Sequence, residues 1–294
     1  MSSEELAALK GMLAANPFDF TIPAAEVRAQ FNGATATFPV DETYAFEEKK
    51  VGTVSGLWLN AAKHSDYVLY YIHGGAMLVG DTFGYRGLTG NLARAAGINM
   101  FSLEYRLAPE DPFPAAIDDA LAGYKGLLES GYPADKIVLA GDSAGGGLAL
   151  SLLLDLKKAD IALPKAVVTL SPWADLTHSG PTIKSKAAVD GSLNLPGLES
   201  GANQYANGHD KKDPRISPLF GDLSGLPPLL IEVGSHEILL SDATRVAEQA
   251  AAGETDVTLH VWPEMPHDWS LFSFMLSEGR DMIDEVGAWI KSKI

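Results

Sequence analysis

The chain has 294 residues, with 22 Lys and Arg against 38 Asp and Glu, a formal charge of −16 with histidine neutral. So acidic a balance argues against nucleic acid or an anionic membrane surface as the main partner. The lack of cysteine excludes a disulfide framework, a Cys-ligated zinc site, an iron–sulfur cluster and a thiolate nucleophile.

Residues 1–40 read as short amphipathic helices broken by Asn16-Pro17 and Asn32-Gly33, and they carry Phe18, Phe20, Phe31 and Phe38. The first five residues are acidic where a secretory leader is basic, so a cytoplasmic location is expected. No uninterrupted apolar run reaches the roughly 20 residues that span a bilayer. Strand patterns follow at 44–50, 54–60, 68–72, 99–103, 137–140, 166–170, 229–233 and 257–261. Helical patterns lie at 85–96, 115–130, 144–157, 242–251 and 268–291. The later strands are nearly continuous apolar runs, as expected of parallel strands buried on both faces. Alternation of strand and helix predicts an α/β fold with a mostly parallel eight-stranded sheet flanked by helices, its first two strands antiparallel. The interval from Thr177 to about Pro218 breaks that rhythm and reads as a lid. Residues 1–40 and 177–218 are therefore expected to form a helical cap over a core of 41–176 and 219–294.

The most informative stretch is Ile137-Val-Leu-Ala-Gly141-Asp142-Ser143-Ala144-Gly145-Gly146-Gly147. An apolar strand runs into Gly-x-Ser-x-Gly and then into a helical pattern. A sharp strand-to-helix turn needs small neighbours around a strained central residue, and it exposes the Ser143 hydroxyl above the carboxyl edge of the sheet. The helix start behind it offers N–H groups and a favourable dipole to a developing oxyanion. Dinucleotide and P-loop readings fail, because neither Gly-x-Gly-x-x-Gly nor Gly-Lys-Ser/Thr is present.

Tyr70-Tyr71-Ile72-His73-Gly74-Gly75-Ala76 ends an earlier strand in a second small-residue loop. Its backbone N–H groups, with that of Ala144, make a candidate oxyanion hole at Gly74, Gly75 and Ala76. His73 is read there as a loop-fixing hydrogen bonder. These two motifs, with Tyr105-Arg-Leu-Ala-Pro-Glu110, Ser171-Pro172-Trp173 and Asp213-Pro-Arg-Ile-Ser-Pro218, resemble the bacterial hormone-sensitive-lipase-like (family IV) esterases. These are α/β-hydrolases that carry a helical cap. The family usually has His-Gly-Gly-Gly, and Ala76 stands here at the third glycine. The resemblance implies Gly75 and Ala76 as donors, with Gly74 shaping the loop.

A serine nucleophile needs a base, and α/β-hydrolases order the triad as Ser, acid, His. Of seven histidines, His64 precedes the nucleophile, His178 and His209 fall in the insertion, and His260 sits inside a strand pattern. His267 follows the last strand and is the expected base. The acid is expected at Glu237, with Asp242 in reserve as a helix-start residue. The resemblance supports Glu237, two residues before Leu239, as the variant of the commoner Asp. His236-Glu237 is no zinc-protease motif, because Leu240 stands where the second His is required. No metal or cofactor is expected.

The resemblance implies a serine carboxylesterase acting on short- to medium-chain esters through an acyl-enzyme. Phe18 and Trp173 are the expected pocket residues, and a homodimer is expected by analogy. A lactone hydrolase on the same triad is the alternative enzyme, with a peptidase behind it. A small-molecule receptor on the same scaffold is the non-enzymatic alternative, disfavoured because such receptors lack the base.

Overall fold

Gly52, at φ 58°, supplies the left-handed turn that folds β1 (Phe46–Val51) back antiparallel on β2 (Val54–Leu59). The computed structural model describes residues 4–15, 19–62 and 65–294. Six further strands follow: β3 (Val68–Ile72), β4 (Asn99–Glu104), β5 (Ile137–Asp142), β6 (Ala166–Leu170), β7 (Leu229–Gly234) and β8 (Val257–Trp262). They join one eight-stranded sheet in the order β1-β2-β4-β3-β5-β6-β7-β8. β2 pairs antiparallel with β4, and every pair from β4 to β8 is parallel.

The apolar runs that mark the inner strands are buried along their whole length in β3, β5, β6 and β7. β8, at the edge, is only half-buried. β3 connects to β4 on one side, whereas β5 leads to β6 on the other. Right-handed crossovers then place α3 (Arg86–Ala96) and α5 (Ser143–Lys158) on opposite faces. α4 (Ala115–Glu129) packs on α5, and α3 on the last helix. Register aligns the strand ends, with Gly141 opposite Ile72 and Leu170 opposite both Asp142 and Glu232. The loops leaving β3, β5, β6, β7 and β8 thus converge on one edge, where the strand order reverses and α/β sheets bind ligands.

Two N-terminal helices, α1 (Glu4–Ala15) and α2 (Ala24–Thr35), bury Leu6, Leu9, Leu13, Val27 and Phe31 in the common core. Between β6 and β7 lie the single turn α6 (Thr182–Ser185) and α7 (Leu195–Ala206), whose N-cap Asn194 accepts from Gly197 at 2.9 Å. α8 (Leu240–Ala252) links β7 to β8.

The single helix expected at 268–291 is corrected. A 3₁₀ turn spans Trp269–Phe272, and α9 begins only at Ser277, running to Lys293. Asp268 is left-handed at φ 52°, and Leu276 is extended, so no helix can run through them. Glu5 of α1 sets the new start. Its carboxylate accepts from the Ser277 amide at 2.7 Å and from its hydroxyl at 2.6 Å.

Candidate active site

β5 passes into α5 at Ser143, whose φ of 48° is costly for a residue with a side chain. The surrounding glycines explain how the turn closes. A Cβ on Gly145 would press into the carbonyl oxygens of Ile72 and His73, and one on Gly147 into that of Trp173. The elbow therefore packs backbone against backbone, and only its serine projects.

Ser143 Oγ lies 2.9 Å from His267 Nε2, and His267 Nδ1 lies 2.9 Å from Glu237 Oε2. The other carboxylate oxygen, Oε1, accepts from the Ser171 hydroxyl and the Gly234 amide, each at 2.6 Å. Glu237 is fully buried. Burial pushes its carboxyl above the usual range, while His267 and Ser171 pull it back. Burial also favours neutral His267, yet the Asp268 and Glu237 carboxylates outweigh it and hold the imidazole well above its ordinary value. Asp268 Oδ2 stands 3.1 Å from His267 Nε2.

The β3 loop meets this group from the other side. Gly75 is at φ 104°, and Ala76 and Met77 are both at φ 56°. The expected hole needs one correction at Gly74, whose N–H donates to Asp142 Oδ1 at 2.9 Å and is not free. The N–H groups of Gly75, Ala76 and Ala144 donate to no acceptor among the described residues. The Ala76 methyl lies 3.4 Å from where a Cβ on Gly201 of α7 would stand, an ordinary van der Waals distance, so the departure from glycine is accommodated against α7. His73 is fully buried, donates from Nδ1 to its neighbour Gly74 O at 2.7 Å and stacks on Tyr105 at 4.3 Å. These contacts tie His73 to the loop.

A cavity of about 70 Å³ opens onto Ser143, His267, Gly75 and Ala76. Trp173 lines it and is buried, stacked on His178 at 5.7 Å. Leu13, Phe31, Leu193 and Leu198 close it from α1, α2 and the β6–β7 insertion. Phe18 and His64 lie outside the described residues.

The remaining candidates are engaged elsewhere. Asp242 lies in the first turn of α8, but its Oδ2 accepts from the Ala174 and Asp175 amides, both at 2.9 Å. His209 packs on Phe113, and His236 on Lys10. Among the described residues, Glu232, His260 and Glu285 stand close enough to hold a cation. The oxygens of Glu232 are already taken by Trp262 Nε1 at 2.6 Å and His260 Nδ1 at 3.0 Å.

Three polar residues at the site escaped the reading of the sequence. Asp142 lies beneath the β3 loop, fully buried, and accepts from Tyr71, Tyr85 and Gly74 at 2.7, 3.0 and 2.9 Å. Ser171, left-handed at φ 47°, supports Glu237. Asp268 stands beside the imidazole. Their one sequence signal was position, each being a polar residue at the carboxyl end of a strand or next to a candidate catalytic residue.

The model of a protein family with the α/β-hydrolase fold matches residues 69–271. An acetyl-hydrolase of Streptomyces hygroscopicus is 43% identical over 242 residues, 82% of this chain and 81% of that protein. An esterase of Acinetobacter venetianus is 32% identical over 256 residues, 87% of this chain and 84% of its own. The crystal structure of an esterase from the bacterial hormone-sensitive lipase family superposes with a TM-score of 0.95 at 37% identity, covering 100% of this chain and 99% of the other. The strand-to-helix elbow at Ser143, the sheet order and these likenesses agree: the chain belongs to the α/β-hydrolase fold family and, within it, to the bacterial hormone-sensitive-lipase-like esterases.

Proposed function

We propose that this carboxylester hydrolase cleaves esters of short acyl groups, with Ser143 as nucleophile, His267 as base and then acid, and Glu237 as the acid of the triad. The observation that carries this is the continuous line from Ser143 Oγ through both imidazole nitrogens to Glu237, with both contacts at 2.9 Å. Ser143 attacks the ester carbonyl as its proton passes to His267 Nε2. Glu237 keeps Nδ1 protonated and offsets the positive charge on the ring. The oxyanion is received by the free N–H groups of Gly75, Ala76 and Ala144, each such donor contributing on the order of 3 kcal/mol to the transition state. His267 then protonates the leaving alcohol and takes a proton from water to release the acid.

The cavity of about 70 Å³ favours the short end of the expected chain lengths, an acetyl to butyryl group. The name of the acetyl-hydrolase relative points the same way. In this reading residues 1–40 and 177–218 act as the cap, because Leu13, Phe31, Leu193 and Leu198 roof the cavity. A homodimer belongs to the same proposal. β8 leaves one edge of the sheet unpaired, with Val261 exposed, and light scattering reads the mass. A cytoplasmic location belongs to the same proposal, and cell fractionation tests it.

A series of p-nitrophenyl esters from acetate to decanoate, with ε-caprolactone alongside, tests the substrate reading. Turnover is expected to peak at acetate to butyrate and to fall steeply beyond. Faster opening of the lactone than of any acyclic ester would replace this reading with lactone hydrolysis. No turnover of any ester would favour a receptor.

A further inference from the structure

Asp268 has no part in the triad, yet it is nine-tenths buried, at 9% exposure, and lines the same cavity as Ser143. Its Oδ2 lies 3.1 Å from His267 Nε2, the nitrogen through which every proton of the reaction must pass. Its Oδ1 is buried with no hydrogen-bond partner among the described residues. The left-handed backbone at Asp268, φ 52°, is what turns its side chain back toward the imidazole rather than along a helix. The rest of the cavity wall is mainly apolar, from Leu13, Phe31, Leu198 and Leu271 to Phe272. Such a wall offers little to hold a water molecule in place.

We propose that Asp268 positions the water that hydrolyses the acyl-enzyme. The inference rests on the acyl-enzyme reading above. Once Ser143 Oγ is esterified and His267 has protonated the leaving alcohol, Nε2 is again an acceptor and the serine has no proton to give it. A water donating one hydrogen to Nε2 and the other to the Asp268 carboxylate presents its oxygen lone pair toward the acyl carbon. The water oxygen forms the new C–O bond as its first proton moves to Nε2. The tetrahedral intermediate then expels Ser143 Oγ, which recovers that proton from Nε2. The second proton stays on the released carboxylic acid. Acylation does not use this water, so Asp268 acts on the second half of the reaction.

The test is pre-steady-state hydrolysis of p-nitrophenyl acetate by the full chain and by Asp268→Ala and Asp268→Asn, each on the plateau of its own pH profile. For Asp268→Ala a burst of about one p-nitrophenolate per chain is expected, followed by turnover slowed roughly 10- to 100-fold. kcat and KM should fall together, leaving kcat/KM within a few-fold of the parent. Asp268→Asn keeps an acceptor oxygen and is expected to recover part of the deacylation rate. Equal losses in kcat and kcat/KM without a burst would overturn the proposal, as would an Asn variant no better than Ala. Fluorophosphonate labelling of Ser143 in each variant reports an intact elbow independently of water. A parent chain that neither labels nor turns over ester would bring down the esterase reading itself. Normal labelling with unaltered deacylation in Asp268→Ala would bring down this inference alone.

Discussion

The carboxylate of Glu237 is held by three donors from three places: His267 after β8, Ser171 after β6 and the backbone of Gly234 at the end of β7. Two of them act on Oε1, so the proposed role of Glu237 depends on its partners unequally. Ser171→Ala removes one of the two donors to Oε1 and leaves the Gly234 amide, so kcat should fall about tenfold, the worth of one hydrogen bond to a charged group. Glu237→Gln changes the group that faces Nδ1 and should cost roughly a thousandfold or more. Steady-state kinetics on p-nitrophenyl acetate separates the two, and equal losses would contradict this ranking. Ser143 and His267 were legible from sequence because each sits in a motif whose neighbours restrict it: glycines around the serine, and a strand end before the histidine. Ser171 and Asp268 were not, since their roles come from contacts that only the assembled sheet edge creates. Asp142 stands inside the Gly-x-Ser-x-Gly turn, but nothing local says that its acceptors reach under the β3 loop.

Helices α1 and α2 do more than decorate the core. Leu13 of α1 and Phe31 of α2, with Leu271 and Phe272 of the 3₁₀ turn, line the small cavity at Ser143 and also a neighbouring groove of about 540 Å³. These four side chains form the wall between the two spaces. Phe31→Ala should open that wall, moving the preferred acyl chain from two to four carbons toward six to eight while the acetate rate falls. The p-nitrophenyl ester series reads this directly, and an unchanged profile would show that the groove is not reached from the cavity. The inner strands were legible as elements because their burial on both faces demands unbroken apolar runs. The break before α9 was not. Its start depends on Glu5, 272 positions away in the chain, supplying an acceptor to Ser277, and no local pattern encodes such a contact.

Across the whole molecule, charge sits in two very different settings. Surface acids such as Asp41 and Asp222 are lowered to about 2 by hydrogen bonds from Thr43 and Ser224, reinforced by Arg94 and Lys157. Several buried ones move the other way, although Asp175, buried but hydrogen-bonded by Ser179, Thr177 and Arg245, stays lowered. Burial pushes Asp142 and Asp242 up to about 8 and Glu232 up to about 7. Between the ordinary carboxylate range and pH 8 the folded chain therefore keeps protons on these three groups that the unfolded chain has lost. Stability must fall as pH rises through that window, and it falls at the acid end as the exposed carboxylates protonate. The melting temperature should peak at mildly acidic pH, about 5, and decline toward pH 8. Asp242→Asn retains an acceptor for the Ala174 and Asp175 amides and removes one titrating group, so its decline should be shallower. A melting temperature that rises from pH 5 to 8 would contradict this assignment. The charge of −16, mostly on such solvated acids, thus bears on pH response more than on the reaction, which depends on a few buried groups at one sheet edge.

Mass spectrometry of the intact chain after brief exposure to a fluorophosphonate, with Ser143→Ala alongside, is the most direct measure of the proposed chemistry. One adduct per chain, mapping to the peptide that contains Ser143, should appear as esterase activity disappears, and the variant should show neither adduct nor turnover. An adduct on another residue, or ester hydrolysis by Ser143→Ala at the parent rate, would contradict the account.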